Sequence, residues 1–251
     1  MDTGSAVLLA AVALAVGVFI GTSGVGGVLL IPVLVSPVGL SVHQAVATAL
    51  ASFLFIGSVG TWLFARRGSL EWRLIWPVCA GAVFAGYLGA RLAAHIDGRP
   101  LAFVIGLLII GASALILRPP PVLAHAGTRS LRRERLVLGC VGLTAGFGSG
   151  LSGAGGPIFS VPLMIALGFP PLATVGAAQG LQIVAALSGS VANVQAGTIE
   201  LQALGLIVVF QLAGLAAGVR LAHALSAVAL RQVAAWLCVG AGGLMVLGAI
   251  R

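Results

Sequence analysis

Apolar residues fill this chain in long runs separated by short polar turns. Eight runs can be drawn, at about 5–36, 44–65, 72–94, 101–117, 135–166, 172–194, 201–222 and 228–250. Some twenty consecutive apolar residues suffice to cross a bilayer as a helix, so most runs predict one crossing each. The first and fifth are too long for that. Residues 5–36 are 32 positions, about 48 Å of helix against a hydrocarbon core of about 30 Å. Both runs carry glycines in the middle, followed by Pro32 and Pro162, so the helix is expected to break there. Either a crossing helix has an unwound centre, or the run is a re-entrant hairpin. Irregular backbone at membrane depth is tolerated only where it is buried in protein or lines a cavity.

The two long runs carry nearly the same words, 129 residues apart. Gly21-Thr22-Ser23-Gly24-Val25-Gly26-Gly27 returns as Gly150-Leu151-Ser152-Gly153-Ala154-Gly155-Gly156. The same shift maps Gly17 onto Gly146, Gly39 onto Gly168, Gly60 onto Gly189, Glu71 onto Glu200 and Arg91 onto Arg220, without a gap. A repeated glycine break in an apolar chain is the pattern of a duplicated transporter, with the breaks pointing to the binding site. The expected organisation is a first transmembrane repeat (1–117), a basic Pro/Arg linker (118–134) and a second repeat (135–251). The fold class is all-α, a polytopic membrane protein of about eight hydrophobic helical segments in two homologous halves.

Composition supports lipid as the solvent. The chain is 60% hydrophobic and 7% charged, more apolar surface than a soluble domain can hide. Its net charge of +8 comes from 13 arginines against five acids. The arginines sit between apolar runs, where they mark a cytoplasmic face and meet anionic lipid rather than nucleic acid. The loops are too short for a separate catalytic or nucleic-acid-binding domain. Cys79, Cys140 and Cys238 lie in three different runs, a spacing that supports neither disulfides nor metal. The N-terminus lacks the basic region of a secretory signal, so the first run is expected to be retained.

Arginine positions leave topology open. Four crossings per half make the halves parallel and put nine arginines inside against four. An odd number inverts them and gives ten against three. Both obey the positive-inside rule, and inverted repeats suit alternating access.

The stretch Gly153-Ala154-Gly155-Gly156-Pro157-Ile158-Phe159-Ser160-Val161-Pro162, with its shorter partner Gly24-Val25-Gly26-Gly27-Val28-Leu29-Leu30-Ile31-Pro32, resembles the glycine-rich motif of the sulfite exporter TauE/SafE family. Chain length, duplication and the basic mid-loop are similar too. Pro157 stands where a third glycine is usual. The resemblance implies a transporter of small anions, often sulfur-containing: sulfite, sulfonates or related organosulfur compounds. It places the chain in the cell (inner) membrane.

Candidate site residues follow from the breaks and from polar positions in apolar runs. Gly24, Gly26, Gly27, Gly153, Gly155 and Gly156 free backbone amides, and the following half-helix adds a partial positive charge, which together suit an anion. Thr48, Ser52, Gln179, Gln182 and Asn193 are costly in lipid and should face the interior, as donors to substrate oxygens or as interhelical hydrogen bonds. Gln179 and Gln182 share one helix face. Arg91 and Arg220 are expected to snorkel to the interface. No catalytic residue, cofactor or metal is expected. The expected partners are a small anion and membrane lipid, with homo-oligomerisation open.

No acid is expected within the membrane. An inside-negative potential of 100 mV drives each negative charge outward with about 2.3 kcal/mol, so anion export needs no coupling ion. Two other classes touch parts of the sequence. Gly21-Thr22-Ser23-Gly24 and Gly150-Leu151-Ser152-Gly153 match the short Gly-x-Ser-Gly pattern of rhomboid intramembrane serine proteases, and Ala94-His95-Ile96-Asp97-Gly98 resembles their histidine motif. A nucleophile is needed once and with a positioned base, whereas here the serine is duplicated and the histidine is not. A non-transporting membrane assembly factor leaves the paired breaks unexplained.

Overall fold

The computed structural model describes residues 3–35, 38–93, 103, 106–107, 110–111, 113–114, 130–153, 155–193 and 199–250. The expected run at 101–117 and the linker to residue 129 lie almost wholly outside the described residues. What is described is helical and carries no strand. In chain order the helices are α1 (Thr3–Ser23), α2 (Leu30–Val35, after a 3-10 turn at Gly27–Leu29), α3 (Val42–Arg66), α4 (Trp72–Ala93), α5 (Leu131–Ser152), α6 (Pro157–Ala166), α7 (Pro171–Asn193), α8 (Leu201–Ala224) and α9 (Ala227–Ile250). Seven of them are long and apolar enough to cross a membrane; α2 and α6 are not.

Local chemistry sets several of these ends. A capping box opens α3: Ser41 Oγ accepts the Gln44 amide, and Gln44 Oε1 accepts the Ser41 amide. Ser130 caps α5 by accepting from Arg133 N–H. At the other end α5 closes on Gly153 in the left-handed region, φ 65°, a conformation glycine takes without steric penalty.

The long runs are hairpins. Gly26 packs back against Phe19 and Ile20, and Gly148 against the ring of Phe159. In a continuous helix residues 148 and 159 would lie about 16 Å apart. Their contact requires the chain to turn back between them. Both sets of contacts fit a hairpin better than a crossing helix with an unwound centre.

Glycine contacts fix the helix directions. Gly17 and Gly21 of α1 meet Gln211, Leu215 and Val219 of α8, so these helices run parallel. Gly146 and Gly150 of α5 meet Ala82, Gly86 and Ala90 of α4, again parallel. Each contact in the second set is the first displaced by 129 residues. Small residues let these backbones approach closely, as in other membrane helix pairs. By contrast α3 and α7 are antiparallel: Gly60 meets Gln179, and Gly189 meets Leu50. These two helices are equivalents under the same shift. Antiparallel equivalents, with one hairpin and three crossings expected in each half, match the inverted arrangement.

The bundle has an arginine-rich end. Arg66, Arg67 and Arg73 flank the α3–α4 turn, Arg132, Arg133 and Arg135 start α5, and Arg220 and Arg231 flank the α8–α9 turn. Arg73 pairs there with buried Glu134 at 2.9 Å, and Ser69 Oγ lies 2.8 Å from His223 Nε2. At the opposite end only Arg91 is described, over the ring of Tyr87. Arg66 sits over Trp62, and Trp72 stacks near Trp76. Such aromatic and arginine pairs belong at membrane–water interfaces. From Trp72 to Arg91, α4 is about 28 Å long, close to the thickness of a hydrocarbon core.

Candidate functional site

The two hairpin tips meet inside the bundle. Gly24, at the first tip, lies against Pro157 and Val161 of α6 and Ala178 of α7. The second tip rests on α3 and α7: Gly153 lies against Val46, Gly155 against Phe53, and Gly156 against Leu181 and Ala185. Both tips are buried, which is the condition under which irregular backbone is tolerated in a membrane.

The first tip bonds largely to itself, although Gln179 Oε1 has no partner among the described residues. Ile20 C=O accepts the Gly24 amide at 2.9 Å and the Gln179 side-chain amide at 3.0 Å. Ser23 Oγ donates to Phe19 C=O and accepts from Val25 N–H at 3.2 Å. Thr22 donates to Val18 C=O at 2.7 Å. The chain leaves this tip through a 3-10 turn into a six-residue helix, too short to build a sizeable dipole.

The second tip does not. Ser149 C=O accepts the Gly153 amide at 2.8 Å, the counterpart of Ile20 and Gly24. Where the first tip has Gln179 the second has Leu50, which has no proton to give. The ten-residue α6 starts at Gly156 with Pro157 in its first turn and no side-chain cap. Its opening turn, residues 155–158, is buried; Pro157 carries no N–H and the Phe159 and Ser160 amides donate to Gly156 C=O, which leaves at most the Ile158 amide of that first turn for a ligand. Three buried polar groups on α5, α6 and α7 have no partner among the described residues: Ser149 Oγ, Ser160 Oγ and Gln182 Oε1. The Gly148–Phe159 contact sets Ser149 and Ser160 in neighbouring layers of the hairpin, and Gln182 follows Leu181, which lies on Gly156. A buried polar group left unsatisfied costs about 1–3 kcal/mol. The two hydroxyls and a helix start without a side-chain cap are donors that an anion's oxygens would engage, whereas Gln182 Oε1 is an acceptor and needs a donor such as water.

The sequence candidates are thus sorted. Gly153, Gly155 and Gly156 form the second tip, and Gln182 follows Leu181, which lies on Gly156. Gly24, Gly26 and Gly27 form the first, with Gln179 bonded to it. Thr48 and Ser52 lie lower on α3, fully buried. Thr48 Oγ1 accepts the Glu200 amide at 3.1 Å, and Ser52 donates to Ala49 C=O at 2.7 Å. Asn193 ends α7, and its side chain lies outside the described residues. Ser149, Ser160 and Gln211 were not anticipated. Each is a single polar residue in an apolar run, and a comparison of the two halves flags all three. Their equivalents at a shift of 129 are Ile20, Ile31 and Ala82.

The protease reading finds no support at the serines. Ser23 and Ser152 each donate to a backbone carbonyl four residues back in their own helix, while His95 lies outside the described residues. Among the described residues no group of acids, histidines or cysteines is placed to hold a metal.

No solved structure matches the chain. A curated protein described as "Probable membrane transporter protein y4hK", from Sinorhizobium fredii (strain NBRC 101917 / NGR234), is 27% identical over 129 residues, which are 47% of this chain and 47% of that one. The match thus spans about half the length of each. The family model described as "Sulfite exporter TauE/SafE" matches residues 9–245, nearly the whole of the helical bundle. The chain therefore belongs to the sulfite exporter TauE/SafE family of membrane transporters.

Proposed function

We propose that this transporter exports a small sulfur-containing anion, a sulfite, sulfonate or related organosulfur anion, through a path between two duplicated and inverted halves. The binding site in this reading is the second hairpin tip. The observation that carries it is the buried start of α6, without a side-chain cap, with buried, unpartnered hydroxyls at Ser149 and Ser160 on the two arms of its hairpin. Amide and hydroxyl donors there would replace the water lost by the anion, and the helix dipole favours negative charge. No arginine is needed, which keeps a singly charged anion from being held too tightly to leave. Family membership supports an anion of this class. The arginine-rich end faces the cytoplasm in this reading, in the inner membrane, and the inside-negative potential drives export.

The test is flux of sulfite and sulfoacetate in proteoliposomes under an imposed potential. Wild type should pass at least one of them in a potential-dependent manner, and Gly155→Leu/Gly156→Leu should abolish it while the protein stays folded. Flux unchanged in that variant would move the site away from the second tip. Flux of neither anion would withdraw this substrate class.

A further inference from the structure

Two polar ties between the halves are described at the arginine-rich end, and they differ in chemistry. On the α4–α5 seam Arg73 pairs with Glu134 at 2.9 Å, and a guanidinium keeps its proton throughout. On the α3–α8 seam Ser69 meets His223, and imidazole is the side chain that ordinarily changes charge between pH 5 and 8.

The atoms around His223 fix how it would receive a proton. Nδ1 lies 2.7 Å from Val219 C=O. A carbonyl can only accept, so Nδ1 carries a proton. Nε2 lies 2.8 Å from Ser69 Oγ, and Ser69 Oγ lies 3.2 Å from Phe64 C=O. The hydroxyl has one proton and two places to put it. With the ring neutral, Ser69 donates to Nε2, and Phe64 C=O keeps the Ser69 backbone amide. With the ring protonated, Nε2–H donates to Ser69 Oγ, and the hydroxyl proton turns to Phe64 C=O. Both states are bonded without a shift of any heavy atom. The protonated state has one hydrogen bond more. It also runs an unbroken line of donors between carbonyls near the C-terminal ends of α8 and α3, where positive charge is favoured.

Packing holds the pair in place. The Phe64 ring lies 5.2 Å from the imidazole, centroid to centroid, and Gly176 of α7 sits against both Phe64 and Ser69 C=O. The charged groups brought to this end by the neighbouring elements are Arg66 and Arg67 of α3, Glu71 and Arg73 at the start of α4, Arg220 of α8 and Arg231 of α9; α2 and α7 bring none. Under the shift of 129 residues Ser69 matches Thr198, but His223 matches Ala94. The imidazole therefore has no equivalent in the first half.

We infer that His223 and Ser69 form a proton-operated latch on the α3–α8 seam. A proton taken up at the arginine-rich end ties the halves together there, and its loss loosens them. The latch's part in transport rests on the reading above, in which the anion enters from the arginine-rich face and passes between the halves. Acid on that face then slows entry.

Flux and ring spectroscopy test this on the reconstituted protein. Flux of whichever anion wild type passes, sulfite or sulfoacetate, is measured at pH 8 and pH 6 on both sides under one imposed potential. His223→Gln can still bond Ser69 but does not titrate. The ratio of wild-type to His223→Gln flux therefore cancels any titration of the anion itself, and it should fall at least threefold from pH 8 to pH 6. The same ratio taken with Ser69→Ala in place of wild type should stay nearly flat. With nitrogen-15-labelled histidine, the ring signals lost in His223→Gln should show one protonated nitrogen at pH 8 and two at pH 6. A ring that stays neutral at pH 6, or a wild-type ratio that does not change, overturns the latch and leaves the transport reading standing. Absence of any wild-type flux overturns the latch's gating role together with that reading.

Discussion

The two hairpin tips begin from nearly the same seven residues and end with opposite hydrogen-bond economies. At the first, Gln179 and Ser23 bond to the backbone beside the glycines, with Gln179 Oε1 the one side-chain atom there left without a partner among the described residues. At the second, Leu50 replaces the glutamine, and two hydroxyls and a carboxamide oxygen remain unsatisfied. Duplication supplies the same backbone twice, so the difference lies in side chains. A tip that bonds to itself is a structural wedge. A tip that leaves donors and acceptors unused in the interior is one that a ligand completes. The pair therefore divides the labour between holding the bundle together and reading the anion.

The largest expected effect attacks this division directly. Ser160→Val and Gln182→Leu, combined, should cut anion flux at least thirtyfold while leaving the thermal midpoint unchanged or raised, because removing an unsatisfied buried polar group is neutral or stabilising. Gln179→Leu should do the reverse: it strips a donor from Ile20 C=O and costs about 1–2 kcal/mol of stability. Its flux per folded molecule should fall far less. Flux and unfolding measured on the same reconstituted samples decide the matter. If Gln179→Leu proved the stronger transport defect at unchanged stability, the roles assigned to the tips would be exchanged.

The fold was legible where hydrophobic runs are long and glycines break them. The runs at 44–65, 72–94 and 201–222 correspond to helices Val42–Arg66, Trp72–Ala93 and Leu201–Ala224, because some twenty apolar residues in lipid have few alternatives to helix. The breaks, too, follow from Gly24 and Gly153. Topology was not legible, since arginine counts of nine against four and ten against three both satisfy the same rule. Only contacts such as Gly60 with Gln179 and Gly189 with Leu50 reveal the antiparallel crossing. The site was half legible. Gln182 and the glycines stand out as polar or flexible residues, but serine is common in membrane helices, and nothing periodic separates Ser160 from a serine that merely bonds its own helix, as Ser58 does. Whether a hydroxyl is satisfied is decided by neighbours distant in sequence.

The crossing of α3 and α7 gives a smaller, purely structural contrast. A Cβ on Gly60 would run into the Gln179 carboxamide, whereas a Cβ on Gly189 would lie 3.2 Å from a Leu50 methyl group. Gly60→Ala must therefore push Gln179 off Ile20 C=O, while Gly189→Ala asks only for a small shift of a flexible side chain. Overpacking of a filled interior costs about 1–3 kcal/mol. The expectation is that Gly60→Ala loses about 2 kcal/mol more than Gly189→Ala by equilibrium unfolding in mixed micelles. Equal losses would mean that Gln179 does not brace the first tip.

The smallest effect comes from giving the second tip the brace of the first. Leu50 occupies against Gly189 the place that Gln179 occupies against Gly60, so under the repeat Leu50→Gln is the change that would aim a carboxamide at Ser149 C=O, the equivalent of Ile20 C=O. The new amide can donate to that carbonyl as Gln179 does to Ile20, and its net contribution to stability should lie within about 1 kcal/mol. Transport should nonetheless slow by roughly threefold, since 0.6 kcal/mol added to the cost of opening the tip corresponds to about that factor. A rate that Leu50→Gln leaves untouched would show that the second tip does not need to move, and that its unsatisfied groups alone, rather than its freedom, set it apart from the first.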